Sequence, residues 1–144
     1  MIEGTILLVD DNPDDVELTL RAFRTNNITN KIDVARDGEE ALDYLLPDGD
    51  YPPGPVLILL DINLPKVSGL EVLRQIRTDD RTRYLPVVVL STSSEDRDIV
   101  ESYHLGANSY VRKPVVFNEF VDAVRVLGLY WLLVNQSALP PKGS

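Results

Sequence analysis

Val56-Leu57-Ile58-Leu59-Leu60-Asp61 is a run of five apolar residues ending in a carboxylate. With no polar residue in alternation, such a run reads as a strand covered on both faces, the pattern of a parallel sheet flanked by helices. Two other runs also end in charge: Ile6-Leu7-Leu8-Val9 leads into Asp10-Asp11, and Tyr110-Val111 into Arg112-Lys113-Pro114. Open α/β sheets bind their ligands outside the carboxyl ends of the strands. If the three strands lie side by side, three carboxylates and an ammonium converge there. Like charges so close together call for a cation or a chemical modification, which points to divalent-metal and phosphoryl chemistry.

Working outward, the apolar runs alternate with segments of helical period. Asn12-Pro13 offers an N-cap with proline at the first helical position, and Val16, Leu20 and Phe23 recur at helical spacing until Asn26-Asn27. Ile32 and Val34 mark an outer strand, Asp37-Gly38 a turn or cap, and Ala41, Leu42 and Leu45 a short second helix. Ser68-Gly69 leads into a third helix with Val72, Leu73 and Ile76, and Pro86 opens a fourth strand through Leu90. Ser94, followed by acidic residues, is expected to cap a fourth helix running toward Tyr103. Ser109 to Val111 is a short fifth strand, and a long fifth helix follows Pro114 to about Val134. Because parallel neighbours need right-handed crossovers, the alternation predicts a doubly wound α/β fold: a five-stranded parallel sheet with helices on both faces.

The bulk numbers narrow the function. A chain of 144 residues, 44% of them hydrophobic, suits one domain with one core, expected over 1–135 with a tail over 136–144. A formal net charge of −9 argues against a primary role on nucleic acid or anionic membranes, which need clustered Lys and Arg. With no cysteine and only His104, neither a thiolate nor a histidine metal centre is available, so a metal must be a hard ion on oxygen ligands. No leader-like segment or membrane-length apolar run is apparent, and a cytoplasmic location is expected.

Asp10-Asp11 after strand one, Asp61-Ile62-Asn63-Leu64-Pro65 with Ser68-Gly69 after strand three, Ser91 after strand four, and Tyr110 with Lys113-Pro114 at strand five together resemble the receiver (CheY-like) domain of bacterial two-component response regulators. The resemblance extends over about Ile6 to Trp131 and implies the flavodoxin-like strand order 2-1-3-4-5. It makes Asp61 the phosphoacceptor, taking a phosphoryl group from the phosphohistidine of a sensor histidine kinase. A carboxylate that attacks phosphorus forms a mixed anhydride, which is nucleophilic catalysis of the aspartyl-phosphate kind. It also implies one Mg²⁺ held directly by Asp11 and Asp61, through water by Asp10, and by the backbone carbonyl of Asn63. Mg²⁺ favours such a set, a few carboxylates with waters and phosphate oxygens. Lys113 is implied to bind the phosphoryl group, with Pro114 aiming it.

Ser91 is implied to be the switch hydroxyl and Tyr110 the ring that follows it inward, a shift between two packings driven by contact with the phosphoryl group. Two positions depart from the common pattern: the family more often carries threonine at Ser91 and a small residue at Thr92, which shapes access to the site. The output surface is then helix four, strand five and helix five. On helix five, Phe120, Val124, Leu127 and Trp131 form a core stripe, while Ala123, Val126, Leu129, Tyr130 and Leu133 are more apolar than a solvated face, suggesting a homodimer or partner interface. The loop before strand three and the extended helix five also resemble receiver-only regulators partnered with bacterial phytochrome kinases.

Each residue has a plainer reading as well. Asp10 and Asp11 at a helix N-terminus contribute roughly 0.3–1 kcal/mol each without any metal, Tyr110 suits a core, and His104 reads as a surface or helix-end residue. A phosphohydrolase of the haloacid-dehalogenase type also uses an aspartyl nucleophile after a strand, but needs a second Asp two residues on, where Asn63 stands. A nucleotide or flavin module would need a glycine-rich loop after strand one, where Asp10-Asp11 stand instead. A degenerate receiver serving as a scaffold is disfavoured by the intact set of site residues. The reading is therefore a switch with slow self-catalysed phosphorylation and dephosphorylation rather than a turnover enzyme.

Overall fold

A computed structural model describes residues 4–49, 54–91, 95–112 and 117–128. The chain alternates strand and helix throughout: β1 (Ile6–Val9), α1 (Pro13–Thr25), β2 (Ile32–Ala35), α2 (Gly38–Leu45), β3 (Leu57–Leu60), α3 (Gly69–Thr78), β4 (Val87–Ser91), α4 (Asp96–His104), β5 (Ser109–Arg112) and α5 (Phe117–Gly128). All strand pairs are parallel and the order is β2-β1-β3-β4-β5, the doubly wound sheet expected from the sequence.

The continuous apolar runs are central strands because both of their faces are covered. Alternate side chains divide between two cores. Leu7, Val9, Ile58, Leu60, Val87 and Val89 meet Ala41 and Leu45 of α2 and Val72, Leu73 and Ile76 of α3. Ile6, Leu8, Leu57, Leu59, Val88 and Leu90 meet Val16, Ala22 and Phe23 of α1, with Val121 of α5 against the same cluster. Val121 belongs to neither stripe expected on helix five.

Helix ends follow their local chemistry. The Asn12 side chain accepts hydrogen bonds from the N–H groups of Asp14 (2.9 Å) and Asp15 (3.3 Å), with Pro13 where no N–H is needed. At the other end Asn27 takes a left-handed conformation (φ 58°), so that Asn27 N–H reaches Arg24 O and Ile28 N–H reaches Phe23 O, both at 3.0 Å. The Asn26 side-chain amide donates to Val121 O at 3.0 Å and ties α1 to α5.

Among the element boundaries that differ from expectation, two flank residues 92–94. The cap of α4 is Glu95 rather than Ser94, which lies outside the described residues; Glu95 makes no side-chain capping bond. Asp96 and Asp98 in the first turn supply negative charge at the helix N-terminus instead. Ser91, expected just past strand four, is its last residue, because the ladder with β5 continues to the pair Ser91 and Arg112.

Candidate functional site

The sheet register builds the acidic cluster. Val9 pairs with Leu60, so the next residues, Asp10 and Asp61, leave neighbouring strands at one level. Their backbones extend the ladders, Asp10 N–H donating to Ala35 O (3.0 Å) and Asp61 N–H to Val9 O (2.9 Å). Carboxylate oxygens of Asp10, Asp11 and Asp61 all lie within 4.8 Å of one another. Asp10 is buried, Asp61 half-buried and Asp11 exposed. Asp10 Oδ1 accepts Asn12 N–H at 3.0 Å and Asp61 Oδ1 accepts Asn63 N–H at 2.9 Å, which fixes both carboxylates from the loop that follows each.

This donor set consists of oxygen alone, at the mouth of a sheet, with three formal negative charges in one place. Such a set fits a hard divalent cation and fits neither a thiophilic nor a histidine-preferring metal. The buried member matters most. A carboxylate withdrawn from water loses solvation, which a bound cation or a dense hydrogen-bond shell restores.

The loop after Asp61 is held tightly. Gly69 N–H donates to Ile62 O (3.1 Å), closing the loop at its base. A Cβ on Gly69 would collide with the Asp61 carbonyl and the Ile62 Cα, so only glycine lets α3 start so near Asp61. Ser68 caps α3 by accepting Glu71 N–H at 3.2 Å. The far side of the loop rests on α2: a Cβ on Gly38 would collide with the Val67 carbonyl, Lys66 adopts φ 65°, and Lys66 Nζ lies 3.5 Å from Asp37 Oδ2. Asp37 Oδ1 meanwhile accepts Glu40 N–H at 2.7 Å as the cap of α2. That hydrogen bond, with Lys66 adding to it, holds the Asp37 carboxyl below the usual carboxylate range.

Ser91 is fully buried at the end of β4. Because Leu60 pairs with Val89, Ser91 stands one residue beyond the level of Asp61 on the adjacent strand. Tyr110 lies opposite Val89 on β5, partly buried against the core on the α2–α3 side, and its N–H donates to Tyr103 Oη at 3.1 Å. Asn63 is exposed in the loop between Asp61 and α3.

The structure thus brings together Asp10, Asp11, Asp61 and the Asn63 backbone, with Ser91 beside them. Thr92, Lys113 and Pro114 lie outside the described residues, as do Leu129, Tyr130 and Leu133 of the expected interface. Val126 of that interface is 59% exposed, and Val100 and Tyr103 of α4 are also exposed. His104 is the exposed last residue of α4, remote in role from the cluster. The sequence marks Asp37-Gly38 as a turn or cap and gives Lys66 no role. The available signal was a glycine directly after a cap residue, which marks a close backbone approach.

The response regulator receiver domain family matches residues 6–125 of this chain. The probable methanogenesis regulatory protein FilR2 of Methanothrix harundinacea is 45% identical over 136 residues, spanning 94% of this chain and 88% of that protein. Response regulator Rcp1 of Synechocystis sp. is 38% identical over 129 residues, 88% of each. The crystal structure of the Mn²⁺-bound form of Rcp1 superposes with a TM-score of 0.84 at 36% identity, over 93% of this chain and 98% of that one. The crystal structure of the phosphorylated cyanobacterial phytochrome response regulator RcpA gives a TM-score of 0.88 at 37% identity, over 95% and 99%. Among the described residues no helix is long and apolar enough to cross a membrane.

Proposed function

Because this chain belongs to the response regulator receiver domain family, we propose that it is a phosphoryl-operated switch in which Asp61 accepts a phosphoryl group from the phosphohistidine of a sensor histidine kinase. The observation that carries this reading is the meeting of three carboxylates at one end of the sheet, with buried Ser91 one residue beyond the level of Asp61 on the adjacent strand.

Asp61 is the nucleophile. One of its carboxylate oxygens forms the new O–P bond as the N–P bond of the donor imidazole breaks, and the departing imidazole nitrogen takes a proton from solvent. Asp61 is oriented for this by the Asn63 N–H, and the chain on its other side is fixed by the ladder to Val9. A divalent ion, Mg²⁺ in our reading, would be held by Asp10, Asp11, Asp61 and the Asn63 carbonyl, and when bound it supplies charge neutralisation for the incoming phosphoryl oxygens. Lys113 donates to a phosphoryl oxygen, Pro114 and Thr92 shape the opening, and the Ser91 hydroxyl donates to the same group. Drawing Ser91 toward the phosphoryl group vacates space that Tyr110 fills, so occupancy of Asp61 biases the face formed by α4, β5 and α5. The exposed Val100, Tyr103 and Val126 on that face support protein contacts there as the output.

The receiver spans 1–135 with a tail over 136–144, works in the cytoplasm, and pairs with a histidine kinase of the phytochrome class, a pairing supported by its similarity to the phytochrome response regulator RcpA. A homodimer through α4, β5 and α5, including Val126, Leu129, Tyr130 and Leu133, fits the same face. Switching rather than turnover is its role, with slow self-dephosphorylation resetting it.

The test is incubation with a small phosphodonor and Mg²⁺, followed by intact mass measurement and sizing. One added phosphoryl group that disappears in Asp61→Ala is expected. Uptake by the variant equal to that of the parent chain, or no uptake in either, overturns the reading.

A further inference from the structure

The loop that follows Asp61 is supported from a helix that takes no part in the acidic cluster. Three contacts converge on the N-terminus of α2. The Val67 carbonyl lies against Gly38 so closely that a Cβ there would collide with it, Gly38 N–H points at Pro65 O (3.5 Å), and the Lys66 ammonium lies 3.5 Å from Asp37 Oδ2. Lys66 adopts φ 65° in doing so, a left-handed conformation unfavourable for a side-chain-bearing residue. The Lys66 side chain, though largely exposed, returns to the cap of the neighbouring helix and so joins the loop to α2. The opposite end of the same loop carries Asn63, whose N–H holds Asp61 Oδ1. Leu64 and Val67 pack on the core below, so the loop is anchored at its base and held at its top by the α2 contacts.

We infer that Lys66 and Asp37, with Gly38 as their seat, form a latch that sets the position of the 62–68 loop, and through it the Asn63 backbone and the orientation of Asp61. They are positioning residues, and the inference rests on the reading of Asp61 and Asn63 given above. Asp37 serves twice, capping α2 with Oδ1 and holding Lys66 with Oδ2, so the start of α2 and the loop after the phosphoacceptor share one carboxylate.

A latch makes a prediction that opposes simple electrostatics. Lys66 and Asp37 carry opposite charges, so if they acted on a bound cation only through their fields, Lys66→Ala would tighten cation binding and Asp37→Asn would weaken it. A latch requires both to weaken it. Asn caps a helix as well as Asp, so Asp37→Asn removes the ion pair while keeping α2 capped.

The experiment is calorimetric titration of the full-length chain with Mg²⁺ alone, on the parent, Lys66→Ala, Asp37→Asn and the double variant, alongside hydrogen exchange at residues 63–67 in Mg²⁺-free buffer. The expected result is a two- to fivefold weaker Mg²⁺ affinity in each single variant, no further loss in the double variant, recovery in Lys66→Arg, and faster exchange across 63–67 before any metal is added. Opposite signs for the two single variants, or affinities and exchange equal to the parent's, overturn the latch. Phosphoryl uptake by the parent chain, lost in Asp61→Ala, is measured on the same preparations. A parent that takes up phosphoryl with unaffected latch variants refutes this inference alone, whereas a parent that takes up none refutes the functional reading beneath it.

Discussion

Removing the charge of Asp11 should make the metal-free protein more stable while abolishing its response to Mg²⁺. Two unit charges 4.8 Å apart repel by about 3.5 kcal/mol at an effective dielectric of about 20 and by about 0.9 kcal/mol in bulk water. Asp11 is exposed, so the lower figure governs, and Asp11→Asn removes its repulsion with both Asp10 and Asp61, about 2 kcal/mol in all. Against this stands the loss of a favourable charge at the start of α1, about 0.3–1 kcal/mol. The balance is a gain of about 1–1.5 kcal/mol, or about 3–5 °C in melting temperature for a chain of this size. The parent chain in Mg²⁺ at about a hundredfold its Kd gains about 2.7 kcal/mol; the variant, lacking a ligand, gains far less. Thermal unfolding of both proteins in EDTA and in Mg²⁺ decides the matter. A variant that melts below the parent in EDTA, or that keeps the parent's gain in Mg²⁺, refutes the idea that the three carboxylates are mutually stressed and jointly hold the ion.

Two further outcomes follow from groups away from the cluster. Arg77 on α3 donates to Gly106 O (3.0 Å), Arg83 O (3.1 Å), Leu85 O (2.7 Å) and Asn108 Oδ1 (2.9 Å), and burial lowers its pKa from the ordinary guanidinium value. Arg77→Met leaves those carbonyls without their charged donor and should cost about 3 kcal/mol in denaturant unfolding, with Arg77→Lys restoring less than half, because a single ammonium cannot span four acceptors. The Glu71 carboxyl is held down to about 2 by its hydrogen bond from Arg74, with Gln75 assisting. Since its folded-state pKa is depressed, the stabilisation it provides is present above its ordinary value near 4.5 and is lost as pH falls from there through about 2. An NMR titration should show the low midpoint, and Arg74→Ala should return it toward the ordinary value and flatten that part of the stability profile.

What the sequence makes legible depends on how local the cause is. The runs at Ile6–Val9 and Leu57–Leu60 announce central strands because burial on both faces leaves no room for a polar residue. Once those strands are neighbours, Asp10, Asp11 and Asp61 meet by register alone, so the cluster is readable from the chain. Asn12-Pro13 and Asn26-Asn27 bracket α1 through their own backbone chemistry and are equally readable. The Lys66–Asp37 pair is not, because its residues are brought together only when a loop lands on a glycine in another helix. Arg77 is a similar case: a charged residue on a helix looks solvated until carbonyls from the loop after α3 and from the loop before β5 are found around it. The cap of α4 falls at Glu95 and not at the expected Ser94, because first-turn acids serve a start without a side-chain cap as well as a capped one. Val121 is not legible as a core residue because its burial depends on the contact of α5 with α1, to which Asn26 fastens it.

The pairing of Val9 with Leu60 makes the sheet a ruler for the chemistry. The distance between Asp10 and Asp61 is set by adjacent rungs and is indifferent to what lies between the strands. Lengthening the connection from Leu46 to Val56 therefore alters neither carboxylate's address. Deleting one residue within Leu57–Leu60 displaces Asp61 by about 3.3 Å and turns its side chain to the other side of the sheet. Engineers who graft new connections onto this scaffold have latitude between Leu46 and Val56 and none in the four rungs that precede each acid.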